Sequence, residues 1–224
     1  SRQQAMKNAV NSFITEVADQ YSADADHRIS IVTFGNGATR RMDWTYVNQQ
    51  GESTLHSSVN RLPTSPSGAT DVASGMNEAK DLINSPENGG DYSYNGKNTE
   101  RSKVVIVFTD GVPTTSNTYS ESVADQAVQY SKDIKDAGAT IYSVGIFPGA
   151  NPSQLYGGSR NSGAIGDNWT GRSIIGIEIS DAETAAANRF LNFLSSNYSD
   201  ASNDGLDVKL FDIAIYSEIK FTIN

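Results

Sequence analysis

Lys103 to Pro113 reads KVVIVFTDGVP, and the rest of the chain is best understood outward from it. Val104, Val105, Ile106, Val107 and Phe108 form an unbroken apolar run, closed by Thr109, Asp110 and Gly111. A run of this kind, bounded by turn residues, predicts a strand buried on both faces in a parallel sheet covered by helices. Sheets of that class place their ligand chemistry at the carboxyl ends of the strands. Asp110 stands at such an end and is the first candidate for a functional carboxylate. Asp-Gly also serves as a plain turn out of a strand, so the dipeptide alone does not decide between the two.

Downstream, a Thr/Ser-rich loop leads into a helix from about Ser122 to Ala137, with Val123, Ala127, Tyr130 and Ile134 inward and Gly138 ending it. Thr140 to Phe147 (TIYSVGIF) is a second buried strand. Pro148 to Gly176 is irregular and rich in Gly, Ser and Asn, and a further helix spans about Asp181 to Ser196. Val208 to Ile223 alternates apolar and polar residues, which reads as strand with one face wet.

Upstream, Arg2 to Tyr21 places Met6, Val10, Phe13, Ile14, Val17 and Tyr21 on one helical stripe. Such a helix at the very start of an α/β chain raises the expectation of a preceding segment. Arg28 to Phe34 (RISIVTF) is a strand, Gly35-Asn36-Gly37 a turn, and Ala38 to Val47 an edge hairpin strand with Arg40 and Arg41 outward. Ser53 to Leu62 makes a short helix. Pro63 to Gly68 is a loop, and Ala69-Thr70-Asp71 leads into a helix from Val72 to Ile83. Ser85 to Arg101 is Gly/Asn-rich and reads as a surface excursion. The sequence of elements is that of an α/β fold with a doubly wound, mostly parallel sheet flanked by helices.

Composition narrows the chemistry. The 224 residues carry a net charge of −9 and no Lys/Arg cluster, which argues against nucleic acid or an anionic membrane surface as partner. Cysteine is absent, so disulfides, zinc–thiolate sites and thiol catalysis are excluded. That absence suits either a cytoplasmic protein or a bacterial surface protein. No apolar run has the length of a membrane span, no signal peptide is read, and any targeting information is expected outside this chain. His27 and His56 read as surface residues. No Gly-x-Ser-x-Gly elbow, dinucleotide fingerprint or phosphate-binding loop is present, so no enzyme is expected. Thr70, in a turn entering a helix, and Asp110, at the end of the central strand, fall at one edge of the sheet. A hydroxyl and a carboxylate from separate loops suit a hard divalent cation.

The sequence resembles von Willebrand factor A-type, or integrin I-like, domains. The resemblance rests on Ser67-Gly68-Ala69-Thr70-Asp71 before a small-residue helix, on the strand ending Thr109-Asp110-Gly111, and on Gly138 to Ile146 as the next strand. It covers roughly residues 1–200, with residues 201–224 as an extension that could begin a β-rich neighbour. It implies a Rossmann-like domain binding Mg²⁺ or Mn²⁺, with Ca²⁺ a further option, at a metal-ion-dependent adhesion site. Thr70 and Asp110 match the family's threonine and second aspartate, and Asp71 is a helix cap or supporting group behind them. The family's Asp-x-Ser-x-Ser motif, which ends its first strand, is absent from this sequence. Loss of a central strand would exceed a typical stability margin of ~5–15 kcal/mol, so the strand is expected upstream or from another segment.

Among family members, the opening helix, the lack of cysteine and the Asn/Ser/Gly-rich insertions look most like cell-wall-anchored adhesins and pilus-tip proteins of Gram-positive bacteria. That resemblance implies an extracellular, surface-displayed adhesion module. Its partners would be a host matrix or cell-surface protein and neighbouring domains or a pilus backbone subunit. A metal-free scaffold, or an intracellular domain regulating an ATPase partner, are the alternatives.

Overall fold

The computed structural model describes residues 2–22, 27–63, 68–85, 92–94, 97–99, 102–109, 113–115, 118–147 and 181–196. In chain order these form α1 (Arg2–Asp19), β1 (Arg28–Phe34), β2 (Ala38–Tyr46), α2 (Gln49–Asn60), α3 (Val72–Asn84), β3 (Tyr92–Tyr94), β4 (Lys97–Thr99) and β5 (Val104–Thr109). They continue through β6 (Thr114–Thr115), β7 (Thr118–Tyr119), α4 (Glu121–Asp136), β8 (Thr140–Gly145) and α5 (Asp181–Leu194). Asp110, the Pro148–Gly176 stretch and the Val208–Ile223 tail lie outside the described residues.

The βα unit around the central strand forms as its sequence predicts. β5 and β8 pair in parallel, from Val104 opposite Thr140 to Thr109 opposite Gly145, with α4 as the crossover. Ser120 caps α4 by accepting from the Val123 N–H. At the other end Gly138 adopts φ 81°. The Ala139 N–H then reaches the Ile134 carbonyl and the Gly138 N–H that of Lys135, so the last free carbonyls of the helix are satisfied by a glycine turn. α3, α4 and α5 pack with Val107 and Ile141 into one apolar cluster containing the fully buried Ile134, Phe190 and Leu194. Beyond α5, Ser196 turns back onto β8. Its Oγ accepts from the Ile141 N–H at 2.7 Å and its own N–H donates to the Ile141 carbonyl at 2.9 Å.

β1 and β2 form the expected antiparallel hairpin, with irregular register around Ile31. Ile29 and Ile31 join Ile14, Val17, Leu55 and Val59 of α1 and α2 in a second cluster, while Phe34 packs against the first. β1 thus has a helix layer on each face. Gly75 lets α3 approach closely: a Cβ there would lie 2.8 Å from the Phe34 ring. Arg40 on β2 pairs with Asp43 and reaches Glu78 of α3 at 2.5 Å.

Four local features differ from the sequence reading. α2 begins at Gln49 rather than Ser53, because Asn48 caps it by accepting from the Gly51 N–H at 2.9 Å. Gly51 is required there, since a Cβ would sit 1.7 Å from the Tyr46 carbonyl oxygen. Within the Ser85–Arg101 excursion, β3 and β4 pair from Tyr92–Thr99 to Tyr94–Lys97 around the two-residue connection Asn95-Gly96, a sequence suited to a tight hairpin. β6 and β7 make a second small hairpin in the Thr/Ser-rich stretch. His56 is half-buried between two helices, not a free surface residue: its Nδ1 meets Asn11 Oδ1 at 2.7 Å and its Nε2 meets Thr15 Oγ1 at 3.3 Å.

The two strands expected to be buried throughout are covered unevenly. Val107 and Thr109 of β5 and Ile141 and Val144 of β8 are buried, but Val104 is 46% exposed and the other positions of both strands are only partly buried, as is every position of β1. Among the described residues, β1 pairs with β2 alone and β5 with β8 alone.

Candidate functional site

The site forms at the carboxyl ends of β1 and β5, where the chain enters α3. Three consecutive amides of that entry are held by three different partners. The Ala69 N–H donates to Asn36 Oδ1 at 2.7 Å, in the turn that leaves β1. The Thr70 N–H donates to Thr114 Oγ1 at 2.9 Å, in the segment that follows β5. The Asp71 N–H donates to the Gly35 carbonyl at 2.9 Å. Thr114 returns its own N–H to the Thr70 carbonyl at 3.2 Å, closing an antiparallel bridge, and that carbonyl also accepts from Val72 at 2.9 Å.

Gly68 makes the arrangement sterically feasible. It adopts φ 90°, a region that disfavours other residues. A Cβ there would fall 2.6 Å from Asn36 Oδ1 and displace the acceptor of the Ala69 amide.

Thr70 therefore has both backbone groups engaged, and among the described residues its hydroxyl has no hydrogen-bond partner. Asp71 is committed otherwise. One carboxylate oxygen accepts from the Ser74 N–H at 3.0 Å and the other from the Ser74 hydroxyl, so it is the N-cap of α3. The positive end of a helix dipole opposes a nearby cation, and a carboxylate in that position offsets it. Asp110 follows Thr109, the last residue of β5, and itself lies outside the described residues. The Thr114 bridge lies four positions beyond it and ties the exit of β5 to Thr70.

Sequence reasoning singled out Thr70 and Asp71 but missed Asn36 and Thr114. Asn36 read as part of a turn, and Thr114 as one of several loop threonines. Thr114 is buried and Asn36 exposed, and neither announces a partner 44 or 33 residues away. Among the described residues no group of three or more His, Cys, Asp or Glu side chains could hold a metal. The donor chemistry at Thr70, a neutral hard oxygen on a fixed backbone, does fit a divalent cation completed by carboxylates from elsewhere.

Residues 2–163 match the von Willebrand factor type A domain, and the chain belongs to that family. Its α/β architecture, with helices on both sides of the strands, is the fold of that family. Among solved structures, the chain is similar to the pilus adhesin SpaC from Lactobacillus rhamnosus GG, at 15% identity and a TM-score of 0.47. The match covers 64% of this chain and 22% of that one. Among curated proteins, none matches.

Proposed function

We propose that the chain is a metal-dependent adhesion module, in which Thr70 and Asp110 hold a divalent cation that a partner's carboxylate completes. The observation that carries this reading is the Thr70–Thr114 bridge, which draws Thr70, whose hydroxyl has no hydrogen-bond partner among the described residues, to the segment after β5, where Asp110 follows in the sequence. Thr70 contributes a neutral oxygen, Asp110 a charged one, and Asp71 steadies the helix end behind them. Mg²⁺ or Mn²⁺ suits so small and oxygen-rich a set better than Ca²⁺. When bound, the cation supplies a Lewis-acidic position for a Glu or Asp of the partner. The Gram-positive wall or pilus tip, a host matrix or surface protein, and adjoining stalk domains are the setting that the sequence resemblance suggests.

The remaining donors require an Asp-x-Ser-x-Ser segment. We place it on a strand lying between β1 and β5, whose apolar residues, Val107 apart, are incompletely covered among the described residues. The test is a calorimetric titration of Mn²⁺ and Mg²⁺ into the chain and into a form extended at its start by an apolar strand ending in that motif. Binding by the extended form, abolished by Asp110→Ala with the fold intact, supports the reading. Binding that survives Asp110→Ala overturns it. The absence of the motif from the sequence favours one other reading, a metal-free scaffold, for which neither form binds.

A further inference from the structure

We infer that Thr114 and Asn36 are positioning residues for the cation-binding threonine, with Thr114 coupling it to the exit loop of β5. This rests on the metal reading above. The geometry has two parts. Thr114 is buried, and it uses its hydroxyl and its amide on the same residue, Thr70, so that Thr70 can shift only if Thr114 shifts with it. Asn36 then holds the preceding amide from the opposite side, and the Gly35 carbonyl holds the following one.

The consequence is a clamp with one jaw on each strand end. The segment from Thr109 to Thr114 contains Asp110, begins in a ladder paired with β8 and ends on Thr70. The two expected cation donors are therefore linked through Thr114 as well as through any shared ion. Gly68 supplies the space in which the Asn36 jaw closes.

The experiment compares Thr114→Val, Thr114→Ser and Asn36→Ala in the strand-extended form. Two readouts are taken: Mn²⁺ affinity by calorimetry, and amide hydrogen exchange of residues 69–71 without metal. Valine keeps the shape of threonine but removes the acceptor, leaving the Thr70 amide unpaired. We expect Thr114→Val to weaken Mn²⁺ about tenfold, the effect of one lost hydrogen bond, and to speed exchange at Thr70. Serine restores both, and Asn36→Ala speeds exchange at Ala69 with a smaller loss of affinity. If Thr114→Val binds Mn²⁺ as tightly as the unsubstituted protein, the positioning role is overturned while the cation site stands. If the unsubstituted extended form binds no Mn²⁺, the site itself fails and the role falls with it, whatever exchange shows. A loss of affinity that serine does not restore also counts against it, because the hydroxyl would then not be the operative group.

Discussion

The two halves of the molecule are held together by different means. Around β5 and β8, three helices close over an apolar cluster whose buried members run from Val72 to Leu194. Around β1 and β2, the corresponding cluster buries, among the described residues, only Ile14, Val17, Val47, Leu55 and Val59. There the interface between α1 and α2 is partly polar. Lys7 is buried and donates to the carbonyls of Asn60, at 3.2 Å, and Leu62, where the last turn of α2 leaves acceptors free. Asn11 reaches Asn60 Oδ1 at 3.0 Å and also meets His56 Nδ1 at 2.7 Å. One half relies on area removed from water, the other on particular hydrogen bonds in a thin core. The site is assembled where the two halves meet, with Asn36 from the hairpin half and Thr114 from the parallel half.

The most severe way to break this comparison is to hollow out the parallel half. Phe190→Ala removes a fully buried ring from the larger cluster and should cost ~3–5 kcal/mol in chemical denaturation. If the halves are distinct, hydrogen exchange should rise in α3, α4 and α5 before it rises in α1 and α2. Equal acceleration everywhere would show one cooperative unit instead.

Lys7→Ala tests the other half. It leaves the Asn60 and Leu62 carbonyls without their donor, and a loss of about 1–3 kcal/mol is expected. Lys7→Met keeps most of the packing volume, so a similar loss would assign the effect to the hydrogen bonds rather than to the stem.

The smallest effect concerns Lys135, on the parallel half. Burial pushes its pKa down to about 8, against a partial opposing pull from Asp136, while its Nζ donates to the Phe193 carbonyl at 3.0 Å. Below that value both folded and unfolded chains hold the proton, and the folded state bears the desolvation cost. Between about 8 and the ordinary 10.5 the unfolded chain holds more of the proton, so this residue's contribution to stability rises with pH. Lys135→Met should therefore be the more stable form near neutrality. Its advantage should shrink across that window in thermal melts, and a constant difference would contradict the assignment.

Legibility in the sequence follows the same division. β5, α4 and β8 could be read because their apolar spacing and Gly138 state a local preference that burial then reinforces. The start of α2 could not, because GlnGlnGlyGluSer has no apolar period and only Asn48 signals a cap. Asn95-Gly96 did carry a hairpin signal, masked by the Gly/Asn richness around it. The candidate site was half legible. Thr70 and Asp110 stand at motif positions, but Asn36 and Thr114 act through contacts that exist only once β1, α3 and β5 are brought together.

Ser196 has a consequence beyond the packing of α5. Among the described residues β8 pairs with β5 alone, and the amide and carbonyl of Ile141 on its other side would otherwise be open to a further strand. Both groups are taken by one serine at a helix exit. Capping an edge in this way guards against edge-to-edge aggregation, a safeguard that matters most wherever many copies of a chain are crowded together.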